Sequence, residues 1–306
     1  MTKIKQFAVF VILLSLLVSM VAGCQPKFQP GSYTDDTGRT VSIDEIPERI
    51  VSFGPSITEI LFALGLGDKV VGVDDYSDYP EAAKAKARIG SAFTPSLEKI
   101  AELAPDLVLT VKHEKLNREL QNLGVSFMVL DPTDIDGILK NIKLMGKING
   151  AGKRAEELVA QMEATISRVA TRVKNAPKVR VFHLIDATDL NNPWTAGPGS
   201  FVDSLTNVAG GENIAGKAMS AWIQFSVEQV VSADPEVIIL PAAQGKEAYI
   251  VGGVEALKEH PAWRSTTAVK EGRIYTVDAD LISRPGPRIV QGLEEIAKII
   301  HPELLK

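Results

Sequence analysis

The chain has 306 residues, is 45% hydrophobic and 23% charged, and carries a formal net charge of −5. This composition excludes a disordered chain, and 33 Lys+Arg against 38 Asp+Glu excludes a phosphate-coating nucleic-acid binder. One cysteine excludes a disulfide framework and any thiolate-rich zinc or iron–sulfur centre, and four scattered histidines give no multi-histidine metal site. At this length two lobes are expected rather than one growing core.

The chain opens with Lys3 and Lys5, followed by an apolar run from Phe7 to Ala22 broken only by Ser15 and Ser19. The run is shorter than the roughly 20 residues of a spanning helix and reads as an export signal over residues 1–23. Val21-Ala22-Gly23-Cys24 follows, and small residues before a lone cysteine resemble the bacterial lipobox, in which Cys24 would be acylated. The alternative is a free cysteine beside an N-terminal anchor helix. Loss of two lysines and no acids with the signal would take the charge from −5 to −7. Residues 24–47, rich in Gln, Pro, Gly, Ser, Thr and Asp, read as a tether ending in a small hairpin over Thr34 to Ile43. The expected protein is soluble in its body and held at a membrane surface.

From residue 48 short apolar runs alternate with helical patterns. Ile50 to Phe53, Val70 to Val73, Leu107 to Thr110 and Phe127 to Leu130 read as strands. Ser56 to Leu64, Leu97 to Leu103 and Lys115 to Leu123 read as helices, the first with Ser56 and Glu59 in capping-box spacing. A helix opened by Asp131-Pro132-Thr133 completes an N-terminal α/β lobe over residues 48–148. Leu158, Met162, Ile166, Val169 and Val173 then give a clear 3.6-residue period, predicting one interlobe helix over residues 151–175. The α/β pattern restarts in residues 178–306. Val179 to Ile185, Val237 to Leu240 and Ile274 to Val277 read as strands. Ser200 to Val208, Val227 to Val231, Val254 to Glu259 and Arg288 to Ile300 read as helices. The fold class is α/β: two Rossmann-like lobes with mostly parallel sheets, a ligand cleft between them and a single long helix joining them.

An internal repeat supports two related lobes. Ser96-Leu97-Glu98 through Asp106-Leu107-Val108-Leu109 matches Ser226-Val227-Glu228 through Glu236-Val237-Ile238-Ile239, ungapped and 130 residues apart. Each copy has a Ser at the start of a short helix and a Pro-acid turn into an apolar strand.

No Gly-rich phosphate loop, His-Glu-x-x-His or Gly-x-Ser-x-Gly occurs. His113, His183, His260 and His301 fall on different predicted elements. No acid/base pair emerges, so an extracytoplasmic enzyme is only a distant alternative; no catalytic residue and no metal site is assigned. Aromatic residues instead concentrate in predicted loops at strand ends: Tyr76, Tyr79, Phe93, Trp194 and Trp222. Ligands of open α/β sheets bind outside the carboxyl ends of the strands, so these rings suit a flat-walled cleft. The other reading is that they plug the cores of their own lobes.

Gly-Pro-Ser-Ile-Thr-Glu-Ile at Gly54 to Ile60, Val71 to Pro80, Ala209 to Ile214, Arg284 to Ile289 and the two Ser-x-Glu repeats resemble the helical-backbone (class III) periplasmic binding proteins. That class serves ABC importers of cobalamin, haem and ferric siderophores, and the resemblance runs from about Pro47 to His301. Tyr76 to Pro80, Trp222 to Val230 and the segment ending at Ile289 are most similar to its cobalamin-binding members. The resemblance implies corrinoid contacts at Tyr76, Phe93, Trp194, Trp222, Asp280 and Arg284. It departs from that pattern at Phe93, where Trp is expected, and at Ser283, where an acid is expected. It further implies docking of Glu98 and Glu228 on arginines of a permease dimer with its ATPase subunits. No resident cofactor is implied; the expected bound solute is a corrinoid, with a ferric siderophore or haem as the alternative. The remaining expectations are a monomer, anchored to the outer face of the cell membrane by lipidated Cys24, with a largely preformed cleft because one helix between lobes permits little closure.

Overall fold

The order of elements follows from short, doubly apolar runs, each closed by a turn that starts a helix. The structure is a computed structural model that describes residues 28–242 and 253–305. The expected export signal, Cys24 and the start of the expected tether lie outside the described residues. The hairpin pairs β1 (Gly31–Thr34) with β2 (Thr40–Ile43), so its first strand precedes the Asp-Thr-Gly turn instead of starting at it.

The N-terminal lobe runs β3 (Ile50–Phe53), α1 (Pro55–Ala63), β4 (Val70–Val73), β5 (Ala87–Arg88), α2 (Leu97–Glu102), β6 (Leu107–Thr110), α3 (Glu114–Asn122) and β7 (Phe127–Val129). Next come α4 (Ile135–Ile148) and the connecting helix α5 (Gly152–Val173). The C-terminal lobe runs β8 (Val179–His183), β9 (Trp194–Ala196), α6 (Phe201–Val208), β10 (Gly211–Asn213), β11 (Trp222–Gln224) and α7 (Val227–Ala233). It continues with β12 (Val237–Ala242), α8 (Gly253–Glu259), α9 (Thr267–Lys270), β13 (Ile274–Asp278), α10 (Ala279–Ile282) and α11 (Ile289–Ile300).

The sheet of the first lobe has the order β5-β4-β3-β6-β7 and that of the second β10-β8-β12-β13. All their pairings are parallel. Aligning β3 with β8 makes β4-β3-β6-β7 and β10-β8-β12-β13 the same order. The repeat seen at α2–β6 and α7–β12 is therefore the visible part of a whole-lobe correspondence. In this parallel sheet β3, β6 and β7 are buried at every position with no alternation, and Ser52 and Thr110 are their only polar residues.

The 22 residues of α5 span roughly 33 Å. Its buried row is Ala155, Val159, Met162, Val169 and Val173, with Leu158 and Ile166 half-buried at its edges. One hydrophobic cluster runs unbroken from Ile57 and Ile138 through Val159 into Leu205 and Leu293. The lobes therefore share a core along α5, and hinge opening would have to break that packing.

The histidines have structural tasks. His113 caps α3, its Nδ1 accepting from Leu116 N at 3.0 Å. His260 Nδ1 lies 3.3 Å from Ala262 N, and His301 is buried beside Gly210. His183 is buried on β8, its Nε2 2.6 Å from Thr206 Oγ1, while that hydroxyl donates to Val202 O at 2.8 Å. With its one proton committed, the hydroxyl accepts from a neutral imidazole. Burial pulls the His183 pKa down to about 4 from 6.5. Between these values the unfolded chain binds more protons, so stability falls as pH falls through the window. At pH 4 the loss is about 3 kcal/mol. Urea unfolding at pH 7 and pH 4 should show wild type losing about that much more than His183→Gln; equal losses would remove this assignment.

Candidate functional site

The sharp turn from β3 into α1 is made by Gly54 at φ 150°, where a Cβ would lie 2.9 Å from Val111 Cγ1. Its N–H donates to Asp74 Oδ2 at 2.9 Å. Asp74 is buried and also accepts from Tyr76 N at 2.9 Å and from the Ser77 hydroxyl. Thr58 Oγ1 links Ser77 to Ser52 at 2.9 and 2.7 Å, and Arg88 Nη1 donates to Asp74 O and Ser77 O. A satisfied buried network therefore fixes the loop after β4 that carries Tyr76, Asp78 and Tyr79.

In the other lobe β9 and β11 form a separate antiparallel ladder pairing Trp222 with Ala196 and Trp194 with Gln224. Period-two alternation puts both indoles on one face of the ladder. Trp222 is 45% exposed and meets Phe201 edge to face, with ring centroids 5.9 Å apart at 68°. Phe201 begins α6, whose N-cap Ser200 accepts from Asp203 N.

Between the lobes lies a cleft of about 580 Å³. Ser56, Val111, Lys112 and Asp131 line it from one side, and Phe201, Trp222 and Arg284 from the other. Its size falls within the roughly 300–1,000 Å³ of small-molecule sites. Burial pushes the Asp131 carboxyl above its usual range, against the attraction of Lys112.

Beside this cleft five charged groups from both lobes meet. Arg284 reaches Asp78 and Asp280 at 2.8 Å each and Glu59 at 3.5 Å. Arg288 donates bidentately to Glu59 at 2.9 and 2.6 Å, and its guanidinium lies 3.9 Å from the Tyr79 ring centroid. Burial favours the neutral Asp78 carboxyl, but the hydrogen bond and charge of Arg284 outweigh it and hold the group low. Burial pushes Asp280 up, and repulsion from Asp78 and Asp278 adds to this despite the arginines. Arg288 is held above its ordinary value, chiefly by its hydrogen bonds to Glu59. A second cavity of about 550 Å³ lies on the α5 side, lined by Glu59, Tyr79, Leu158, Met162 and Arg288.

Of the sequence-predicted contacts, Trp222 and Arg284 line the cleft and Asp280 joins them through Arg284. Tyr76, Phe93 and Trp194 are exposed at the ends of the sheets, outside the lining of this cavity. Sequence reasoning missed Glu59, Asp78 and Phe201. It read Glu59 as a capping-box partner of Ser56, but the cap lies two residues earlier, at Gly54, with Pro55 at the first helical position. The Pro55 signal was present in the sequence; the pairing of Glu59 with Arg288, 229 residues away, was not. Glu98 and Glu228 are exposed in the first turns of α2 and α7, capped by Ser96 and Ser226. Among the described residues no group of three or more potential ligands could hold a metal, and no helix is long and apolar enough to cross a membrane.

The family model described as periplasmic binding protein matches residues 50–281. The chain is 32% identical to an uncharacterized ABC transporter substrate-binding lipoprotein, YvrC, of Bacillus subtilis, over 96% of both chains. It is 29% identical to a cobalamin-binding protein of Halobacterium salinarum, over 89% of this chain and 74% of that one. Among solved structures it resembles the apo form of the periplasmic heme-binding protein RhuT of Roseiflexus sp. RS-1. The identity there is 31%, the TM-score 0.73, and the coverage 83% of this chain and 98% of that one. By these matches the chain belongs to the periplasmic binding protein family, the extracytoplasmic substrate-binding proteins of ABC transporters, which is a class of binding proteins and not of enzymes.

Proposed function

We propose that this protein captures a corrinoid in the interlobe cleft and delivers it to an importer built of a permease dimer and ATPase subunits. The observation that carries this reading is the pairing of an aromatic wall with neutralised cations. Trp222, backed by Phe201, offers a flat apolar surface, while Arg284 and Arg288 are already held by carboxylates. A corrin is a broad apolar disc rimmed by neutral amides. Its face buries area on an indole at about 25 cal/mol per Å². Asp280 can accept from amide NH₂ groups, and the remaining Arg284 N–H groups can donate to amide oxygens. Haem and carboxylate siderophores bring anions that would favour unpaired cations. Haem is the second candidate solute, since a heme-binding protein is among the similar structures. Residues 25–306 mixed with cobalamin, haem and a ferric hydroxamate and passed over a sizing column should co-migrate with the corrinoid spectrum alone. Co-migration of haem instead would replace the reading.

The proposal extends to placement and assembly. The protein acts as a monomer, anchored on the outer face of the membrane through lipidated Cys24, with Glu98 and Glu228 as its two transporter-docking carboxylates. Tyr76, Phe93 and Trp194 are assigned to ligand contact at the mouth of the cleft, beside Trp222. Cys24→Ala is expected to move the protein from the membrane pellet to the soluble fraction. A variant that still pellets would remove the anchor.

A further inference from the structure

The charge cluster holds three carboxylates, Glu59, Asp78 and Asp280, against two guanidiniums, Arg284 and Arg288. Its formal charge is therefore negative although it contains both arginines at the cleft's edge. Lys112, the other cation lining the cleft, acts on Asp131 through charge but forms no salt bridge among the described residues, and it lies apart from this cluster. An anionic ligand group entering at the arginines finds both already paired with carboxylates of the protein. It can gain either guanidinium only by displacing one of those carboxylates.

The carboxylates differ in how readily they could yield. The Glu59 side chain is 2% exposed and makes a bidentate pair, so releasing it would strand a buried charge. Asp280 sits four residues from Arg284 and moves with it. Asp78 comes from the opposite lobe, its side chain is half exposed, and it holds Arg284 through one 2.8 Å contact. The buried Asp74 network presets the loop that brings it there.

We infer that Asp78 is a specificity-determining residue. By occupying Arg284 from across the cleft it denies that guanidinium to carboxylate-bearing ligands, leaving the site selective for neutral, amide-rimmed ones. The inference deepens the corrinoid reading and rests on it for the choice of ligand.

The test uses two ligands of one shape: cyanocobalamin, and cyanocobalamin with one peripheral amide hydrolysed to a carboxylate. Wild type, Asp78→Asn and the double variant Asp78→Asn/Arg284→Gln are titrated with each. Wild type should prefer the neutral ligand by about ten-fold or more, and Asp78→Asn should narrow that ratio by about ten-fold. The double variant should lose the narrowing, because the gain runs through Arg284. An unchanged ratio in Asp78→Asn, or a narrowing that survives without Arg284, overturns the inference. If wild type binds neither corrinoid, the corrinoid reading has failed. Haem and haem dimethyl ester then form the matched pair, and the same ratio across the three proteins decides the role of Asp78.

Discussion

Replacing Trp222 by alanine is expected to weaken ligand binding by about 1–3 kcal/mol, roughly five- to 150-fold. The indole stands on the short β11 strand, aligned by pairing with Ala196 and held edge-on by Phe201. It lines the cleft while keeping 45% of its surface exposed, so in the free protein it is ready to be covered. Covering a large flat ring by a macrocycle recovers apolar burial without ordering a flexible side chain. The fold should survive the change, because both lobe cores lie elsewhere: Trp222 belongs to none of the buried hydrophobic clusters. Calorimetric titration of folded Trp222→Ala should show the loss. Unchanged affinity would mean that the ring does not touch ligand.

Reversing both carboxylates proposed for docking, Glu98→Arg with Glu228→Arg, is expected to abolish uptake and ligand-stimulated ATP hydrolysis while changing ligand affinity less than about two-fold. The two residues occupy matching places in the lobes, each in the first turn of the helix that precedes β6 or β12, the strands that correspond between the two sheets. Neither forms a salt bridge among the described residues. The Glu228 carboxyl is held below its usual range by its own backbone N–H and the Ser226 hydroxyl, so it stays ionised. A helix N-terminus alone favours an acid there, by about 0.3–1 kcal/mol, and that would explain each residue singly. Related positions on two lobes of one chain add a reason: a pair of carboxylates suits a twofold-symmetric partner, and pairing with arginine fixes orientation as well as attraction. Arginines at these positions would meet like charge. Normal transport by the double variant would leave the helix-end explanation alone.

The parts of the fold legible in sequence were those set by local signals. Apolar runs such as Leu107 to Thr110 need no partner to be recognised, and the helical stripe on α5 is periodic on its own. The repeat disclosed the relation of the lobes because burial on both faces constrains the same strand in each copy. The β9–β11 ladder was missed because Trp-Thr-Ala and Trp-Ile-Gln are three-residue strands whose pairing joins segments 28 residues apart. The fourth helix was expected from Asp131, but Asp134 caps it through Gly137 N, and Asp131 is left to line the cleft. The candidate site was half legible. Trp222 and Arg284 were visible as residue types in strand-end segments, whereas Glu59 and Asp78 acquire their roles from arginines more than 200 residues away. Nothing in local sequence encodes such a contact.

A crystal structure of residues 25–306 grown with cobalamin tests the central claim most directly. The account predicts one corrin ring between the lobes, in van der Waals contact with the Trp222 indole, with Asp280 and Arg284 on its amides and the lobe separation unchanged. A saturated crystal with the cleft empty of corrin, or with the ring bound away from Trp222, would contradict it.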